Sequence, residues 1–499
     1  MRAQYRLGAA AAAAMLCACT LQPAYHRPSS GVGEAWPAGP DYATQVRATG
    51  KVPAADVGWQ EFFGDSQLRE LIGIALRSNR DLRIAALDIE ESRAQYRVQR
   101  SGLFPSINAS GSDTVEHQPP GVAVGGAPRQ GTSGVTFRTY SAGVGFASYI
   151  LDVFGRMRSL SNVALQRYFA QIETRRSVQI SLIAEVADDY LTYLSDRSLL
   201  ALARQTYASQ KASLNLTQQS FNAGVTTAVD LAQAQQTVAT AQANIAQFSR
   251  QRAQDLNALQ RVLGAPLPAD LDKAPGLDGE RFLDTLPAGL PSDLLTRRPD
   301  IMAAEDQLKA ANANIGAARA AFFPSITLTG SFGTASSQLS GLLGSGSEQW
   351  IFAPNVSLPI FAGGANAANL DLAEVEKNVA IAQYQKTIQA AFEDVGNALA
   401  ARGTFDQQIL AEQHLVDAAN TAYQLSLQLF RQGVENFLSV LDSQVTSYQA
   451  QQTLIAIRLA RLQNLVALYT ALGGGWQAQT VHPVAAAAVQ DPGTQLHAE

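Results

Sequence analysis

The feature of this chain that most constrains its fold is an internal repeat. The segment "LFPSINASGS" at 103–112 returns almost unchanged as "FFPSITLTGS" at 322–331, and Pro105 and Pro324 lie 219 positions apart. Later landmarks, "FNAGV" at 221–225 and "FRQGV" at 430–434, lie 209 positions apart, so the second copy is ten residues shorter. A period of about 200 residues is too long for a solenoid unit, which predicts two halves with the same set of elements.

Composition excludes several classes of protein. The 499 residues carry a formal net charge of -5, with 16% charged and 7% aromatic residues, so the chain is neither disordered nor polybasic, and nucleic acid is not an expected partner. Small and uncharged polar residues outweigh large apolar ones, which favours thin, elongated packing over one thick core.

The N-terminus is typical of an exported protein. A short basic start is followed by an apolar run from Leu7 to Leu16 that is too short to cross a bilayer, so residues 1–18 are predicted to be a signal peptide. The "LCAC" motif resembles the lipobox of bacterial lipoproteins, which implies that Cys19 is acylated and begins the mature chain. The residue directly after Cys19 is Thr20. An Asp at that position tends to retain such lipoproteins at the inner membrane, so the resemblance implies an outer-membrane lipoprotein. No later segment is apolar enough for a transmembrane helix.

Each half contains one predicted β-hairpin. Apolar and small polar residues alternate after Pro105 and after Pro324, and a second alternating segment follows a Gly/Pro/Ser-rich stretch at 113–134 or 333–349. Four strands of roughly 10 residues match the length that crosses a bilayer when tilted. Four strands cannot close a barrel, so copies must pool their hairpins, as 8 strands in a dimer or 12 in a trimer. The alternative is two solvent-exposed hairpins on a helical body.

Aromatic residues and prolines at the strand starts predict the boundary of the membrane. These are Phe104, Pro105, Phe323, Pro324 and Trp350, which we assign to the barrel interface as part of an aromatic girdle. Packing of a helix end against a neighbour is an equally good interpretation of any one of the aromatic rings.

Long helices fill the rest of each half. Ser159 to Ser220 contains neither Pro nor Gly, which predicts one helix of about 60 residues or roughly 90 Å. After a turn at Gly224, a heptad seam predicts a coiled-coil helix; its residues are Leu231, Ala234, Val238, Ala241, Ile245 and Phe248. The second half repeats the plan at 365–429 and 438–472, and shorter helices are predicted at 66–103 and 299–321. A soluble coiled-coil scaffold would explain these helices but not the hairpins.

The predicted domains follow the repeat. They are a signal peptide at 1–18, a lipidated segment at 19–65, a first repeat at 66–263, a linker at 264–290, a second repeat at 291–474 and a C-terminal tail at 475–499.

Several motifs together resemble one family, the TolC-like outer-membrane efflux ducts, within it the lipoprotein branch that serves RND-type multidrug pumps. They are "CTLQPAYHRP" at 19–28, "LDVFGR" at 151–156, "RRPDI" at 297–301, "LPIFAGG" at 358–364, "GVENFLSVLDSQ" at 433–444 and "LGGGW" at 472–476. The resemblance implies a homotrimer with a 12-stranded transmembrane β-barrel continued by an α-helical barrel in the periplasm. It also implies a periplasmic adaptor, an inner-membrane RND-type pump and outer-membrane lipid as partners.

The resemblance also assigns roles to residues at the helical tips. The adaptor-docking tips are Gly224, Val225, Thr226 and Thr227 in the first half and Gly433, Val434, Glu435 and Asn436 in the second. Leu438, Asp442 and Phe430 match the periplasmic gate. Three copies of Asp442 would form a carboxylate ring that attracts cations. Phe430 stands where relatives usually have Tyr, and Val445 where Arg occurs, so polar links at those two positions are absent.

Other functions have less support. The five histidines show no metal-ligand spacing and no nucleophile elbow or P-loop is present, so neither catalysis nor a cofactor or metal is expected. A duct of an ATP-driven secretion system and a passive porin are the alternatives to a drug-exporting efflux duct. The exported substrate is not readable from the residues.

Overall fold

The computed structural model describes residues 20–33, 35–42, 52–119, 134–273, 276–283, 286 and 291–480. The predicted signal peptide and Cys19 lie outside these residues. The described chain is mixed α and β and mostly helical. Its elements are α1 Trp59–Phe62, α2 Ser66–Ser78, α3 Arg80–Ser101, β1 Asn108–Gln118, β2 Val135–Leu151, α4 Arg156–Asn222, α5 Ala228–Leu263, α6 Pro291–Arg297, α7 Pro299–Ala320, β3 Ser325–Ser336, β4 Glu348–Ser357, α8 Ala365–Arg431 and α9 Phe437–Ala471.

The sequence repeat is also a structural repeat. Helices α3 and α7 each contain 22 residues, and helices α4 and α8 each contain 67. The long helix predicted from the absence of Pro and Gly, and its counterpart predicted from the repeat, are therefore confirmed, although α4 begins three residues earlier than expected. Its start is fixed by the Asp152 carboxylate, which accepts hydrogen bonds from the amides of Met157 and Arg158 at 2.9 Å.

The prediction of one helix over 66–103 is wrong, because the chain breaks at Asn79 into α2 and α3. The Asn79 side-chain oxygen accepts a hydrogen bond from the Leu82 amide at 2.9 Å and so caps α3. Its amide nitrogen donates to the Val262 carbonyl at the end of α5. A buried Asn that satisfies a helix start and a distant carbonyl outweighs the weak local preference for continuing the helix.

The predicted break before Pro299 is confirmed, and it repeats the contact made by Asn79. Arg298 stands 219 positions after Asn79, and its guanidinium donates to the Ala471 carbonyl at 3.2 Å. Ala471 in turn stands 209 positions after Val262. In both halves, the side chain at a helix break therefore holds the end of the second tip helix.

The four strands form one antiparallel sheet in the order β1-β2-β3-β4. The central β2–β3 pair joins the two halves, and within the chain β1 and β4 are edge strands. The strands are 11, 17, 12 and 10 residues long, so the expectation of roughly 10 residues each is wrong for β2. Strand β1 also continues through 113–118, which the Gly/Pro/Ser content had assigned to a loop. A bulge between Phe146 and Tyr149 interrupts the β2–β3 register.

The register sorts the strand residues into two different faces. One row across the sheet contains Ala109, Val144, Phe332 and Trp350, and the adjacent row on the other face contains Ser110, Gly143, Gly333 and Gln349. The first face continues with Phe146 and Phe352, where the Phe146 ring covers Gly330 so closely that a Cβ there would lie 2.8 Å from it. The second face is mainly small and polar, and its apolar exceptions are Val135, Phe137, Ile150 and Ile351. The exposed aromatic face requires an apolar environment.

The chain divides into two compact units that each contain parts of both repeats. One comprises residues up to 28, 90–170 and 305–383 and holds the sheet; the other comprises 29–89, 171–304 and 384 onward. The domain boundaries predicted from the sequence stay a prediction. Across the described residues, every helix lacks an apolar stretch long enough to cross a membrane.

The second unit holds several acidic groups whose pKa values are raised by burial. Burial, with the neighbouring Asp189 carboxylate, raises the pKa of Asp188 to about 7. Burial also raises the pKa of Asp255 to about 7, helped by Asp196, and that of Glu280 to about 8, helped by Asp65. A carboxyl whose pKa is higher in the folded than in the unfolded chain stabilises the fold below its unfolded pKa of about 4, and this contribution is lost as the pH rises.

We therefore expect the protein to unfold more easily as the pH rises from about 5 to about 8. The most deeply buried of these carboxyls, Asp188, contributes up to about 1.4 kcal/mol per pH unit over the part of the range where it titrates, and the more exposed Asp255 contributes less because water screens its charge. Thermal unfolding followed by circular dichroism in detergent measures this slope. The variant Asp188→Asn should flatten it between about pH 5 and about pH 7, while the exposed Asp417→Asn should leave it unchanged. An equal dependence of unfolding on pH in the wild type and in Asp188→Asn would contradict the raised pKa of Asp188.

Candidate gate and docking tips

Two helix–turn–helix tips in the second unit have the same backbone. The amides of Gly224 and Val225 donate to the carbonyls of Phe221 and Ser220 at 2.9 Å, and those of Gly433 and Val434 donate to Phe430 and Leu429 at 3.0 Å. The two glycines have φ values of 73° and 74°, which only glycine adopts readily. This is the Schellman ending of a helix, and it terminates α4 and α8 at equivalent positions of the two repeats.

A polar side chain caps the helix that leaves each tip. Thr227 caps α5 in a capping box with Asp230, and Asn436 caps α9 by accepting a hydrogen bond from the Ser439 amide at 3.2 Å. The tip residues Thr227 and Asn436, predicted for docking, therefore also fix the geometry of the turns.

The tips present apolar side chains to solvent. Val225 is 76% exposed and Val434 is 70% exposed, and nothing lies within 4 Å of a Cβ placed on Gly224 or Gly433. All eight residues predicted for the docking tips are exposed, apart from the half-buried Thr226. Exposed valines at the ends of two rigid turns form a surface suited to a protein partner.

A hydrophobic cluster joins the two tips from behind. Ala234 of α5 packs with Phe437, Val440 and Leu441 of α9, all at most 8% exposed. The Phe430 ring lies 5.4 Å from the Phe437 ring and so packs against this cluster.

A polar layer lies next to the cluster. The Tyr423 hydroxyl is 2.7 Å from the Ser209 hydroxyl of α4 and accepts a hydrogen bond from the Gln444 side chain of α9 at 3.2 Å. Helices α4, α8 and α9 are thereby linked behind the tips. Sequence reasoning missed Tyr423 and Phe437, although the seam spacing of Phe437, Val440, Leu441 and Gln444 would have indicated a buried face.

Two of the gate candidates, Leu438 and Asp442, lie on the face of α9 that points away from the hydrophobic cluster. Leu438 is 57% exposed, Asp442 lies one turn further along and is exposed, and Val445 follows at 42% exposure. Asp442 makes no ion pair with any residue the structure describes. The structure therefore brings Leu438 and Asp442 onto one exposed stripe, as their spacing predicts. It places Phe430 in the cluster behind the tips.

The predicted interface residues lie where helices end and strands begin in the first unit. Phe104 and Phe323 each end a 3₁₀ turn, with their amides donating to the carbonyls of Ser101 and Ala320. Pro105 and Pro324 follow directly and end the turns, because proline has no N–H to donate. Trp350 lies on the apolar face of the sheet and is 74% exposed.

In the described ranges, no group of three or more His, Cys, Asp or Glu side chains is placed to hold a metal ion.

Comparison with known proteins gives consistent matches along the chain. Residues 71–265 and 290–474 match the family model described as outer membrane efflux protein. The toluene efflux pump outer membrane protein TtgC and the antibiotic efflux pump outer membrane protein ArpC, both of Pseudomonas putida, are each 44% identical over 486 residues, covering 97% of this chain and 99% of the relative. The open-state MtrE outer membrane channel of Neisseria gonorrhoeae is 38% identical with a TM-score of 0.82, covering 93% of this chain and all of that one. Because the tips, the sheet and the repeat all fall within the matched segments, the chain belongs to the outer membrane efflux protein family.

Proposed function

We propose that three copies of this chain form the exit duct of a tripartite efflux system in the outer membrane. The observation that carries this proposal is the register of the four-stranded sheet, which separates an aromatic face from a small polar face and leaves β1 and β4 as edges within the chain. A membrane sheet cannot keep unpaired edges, so the edges of neighbouring copies pair and close a 12-stranded barrel. The aromatic face then meets lipid, and the small polar face lines the duct.

In the proposed duct, the sheet forms the exit in the outer membrane, and the helical tips form the periplasmic entrance. An adaptor docks on the exposed valines of the two tips, and an inner-membrane RND-type pump supplies the energy. The polar face of the sheet favours neither charge, because Ser, Thr, Gly and Gln dominate it. TtgC and ArpC are named for toluene and antibiotics, and we extend this to small organic molecules as the substrates here. The chain performs no reaction of its own.

The gate at the entrance is built from the exposed stripe of α9. In the trimer, three Leu438 side chains form an apolar constriction and three Asp442 carboxylates form an anionic ring at its inner side. The seam of Phe437, Val440 and Leu441 holds the stripe in place. Phe430 contributes to this seam by packing and not by a hydrogen bond.

Single-channel recording in planar bilayers tests the gate. We expect Leu438→Ala to raise the open probability, because an apolar constriction is removed, and Asp442→Ala to reduce cation selectivity, most strongly at low salt. Gln449→Ala, two turns further along the same exposed face, is the matched control and should change neither property. Unchanged open probability and selectivity in both gate variants would remove the assignment.

Photo-crosslinking in living cells tests the docking surface. A photoreactive residue at Val434 or Val225 should capture a periplasmic adaptor of an RND-type pump, identified by mass spectrometry. Leu410, also exposed but about 30 Å from the α8 tip, is the control and should give no such adduct. An adaptor of an ATP-driven exporter would instead assign the duct to protein secretion, and reproducible absence of any adaptor at both tips would contradict tripartite assembly.

The lipid anchor is a separate part of the proposal. We expect an alkyne analogue of palmitate to label the wild-type protein in cells and not Cys19→Ala, because a thioether or amide at that residue holds the acyl chains. The control Cys17→Ala should still be labelled. Labelling of Cys19→Ala at the wild-type level would exclude this residue as the anchor.

A further inference from the structure

In the first unit, the helices meet the strands at one end of the sheet. Large apolar side chains there are exposed, and we call two of them, Phe104 and Ile107, the junction collar. Phe104 is 65% exposed and Ile107 is 74% exposed, which is unusual for side chains of this size. If the sheet crosses the outer membrane as proposed, the collar lies at the periplasmic edge of the hydrocarbon layer.

Three arginines lie at the helix ends next to the collar in the chain. Arg97 and Arg100 are in the last two turns of α3, and Arg156 is the first residue of α4. The two helix ends touch, because a Cβ placed on Gly102 would lie 3.2 Å from the Met157 side chain. The Tyr149 hydroxyl also donates to the Leu103 carbonyl at 3.1 Å, which ties β2 to the end of α3. We call Arg97, Arg100 and Arg156 the junction arginines.

Unlike the neighbouring cations, the junction arginines have no carboxylate partner in the described chain and can bind a ligand. All three are exposed, and no residue that the structure describes forms an ion pair with their guanidinium groups. The nearest carboxylates in sequence are already engaged: Asp152 binds Arg158 at 3.2 Å, and Glu91 accepts a hydrogen bond from the Gln95 side chain at 2.9 Å. Arg319, at the equivalent helix end of the second repeat, faces Glu374 at 3.8 Å. At these helix ends, the described arginines that lack an ion pair are therefore those of the first repeat.

Charge and position together identify the chemistry of the partner. A guanidinium is planar and donates two parallel hydrogen bonds to phosphate oxygens. Arginines one to two turns from an apolar collar reach the depth of lipid phosphates with their long side chains. Phosphates with an additional net negative charge are preferred, since basic clusters at a membrane edge attract anionic headgroups.

We infer that the junction arginines form a binding surface for anionic phospholipid of the periplasmic leaflet, with the acyl chains against the junction collar. This goes beyond the export function and depends only on the part of the proposal that sets the sheet in the membrane. One site per chain gives three per trimer. The duct then recruits its own ring of anionic lipid where the barrel meets the helices.

Native mass spectrometry of the full-length protein tests this surface with two probes, dioleoylphosphatidylglycerol and dioleoylphosphatidylcholine. The wild-type assembly should retain the anionic lipid in preference to the zwitterionic one. Removing one arginine should lower affinity for phosphatidylglycerol about fivefold, and the triple variant Arg97→Gln, Arg100→Gln and Arg156→Gln should lose the preference. Replacement of all three by Lys should keep most of it.

Arg167→Gln is the matched control. Arg167 is exposed and unpaired in the described structure like the others, but it lies eleven residues along α4 from Arg156, about 16 Å from the junction. It should leave lipid retention unchanged. A wild-type assembly without preference, a triple variant that keeps its preference, or an equal loss in Arg167→Gln would overturn the inference.

The same spectra report the mass of the assembly, so loss of folding is distinguished from loss of lipid. If the triple variant does not assemble, Arg156→Gln alone carries the test and should show the fivefold loss. Export is measured separately in cells, so failure of the lipid surface and failure of the efflux function give different results.

Discussion

The unpaired edges of the four-stranded sheet are the constraint on which the rest of the molecule depends. An open edge exposes a row of backbone N–H and C=O groups, and hydrocarbon offers no partner for them. Phe332, Trp350 and Phe352 on the aromatic face are each more than half exposed. A sheet left in water would therefore keep these large apolar side chains hydrated, which is unfavourable. Assembly with other copies is the arrangement that satisfies both conditions. The helices must then follow the strands into the same closed ring.

The internal repeat shows how the copies meet. Strands β1 and β3 begin shortly after the equivalent prolines Pro105 and Pro324. One edge of β3 pairs with β2, which belongs to the other half. By the same geometry, the free edge of β1 is suited to β4 of a neighbouring copy. The β2–β3 contact between the two halves of one chain and the β1–β4 contact between neighbouring chains are then similar interfaces. Duplication thus gives a trimer six similar hairpins, which differ mainly in the length of β2 and of the loop before it.

The sequence predicted the elements whose limits are set locally. Proline and glycine end the helices at the tips and at the strand starts, so the 67-residue helices and both hairpins were found. Asn79 was missed because its partner is the Val262 carbonyl, 183 residues away, which no local pattern reveals. The 219-residue offset from Arg298 would have located it. Strand β1 was cut short for a related reason, since its last residues pair with β2 through contacts such as Asp113 with Arg138. The resemblance proposed Leu438 and Asp442 as gate residues, and helical spacing predicted that they share one face, whereas the partial burial of Phe430 depends on a neighbouring helix.

The two faces of α9 couple the proposed gate to the proposed docking surface. The seam residues Phe437 and Val440 are buried against α5, while Leu438 is on the free face beside them. A rotation of α9 that moves Leu438 away from the threefold axis of the trimer must therefore also move Phe437 and Val440 relative to α5. This movement disturbs packed apolar side chains and the Gln444–Tyr423 hydrogen bond. A partner bound at Val225 and Val434 holds both turns at the ends of that seam. It can stabilise the rotated packing without touching the gate, since only a difference in contacts between the two states is needed.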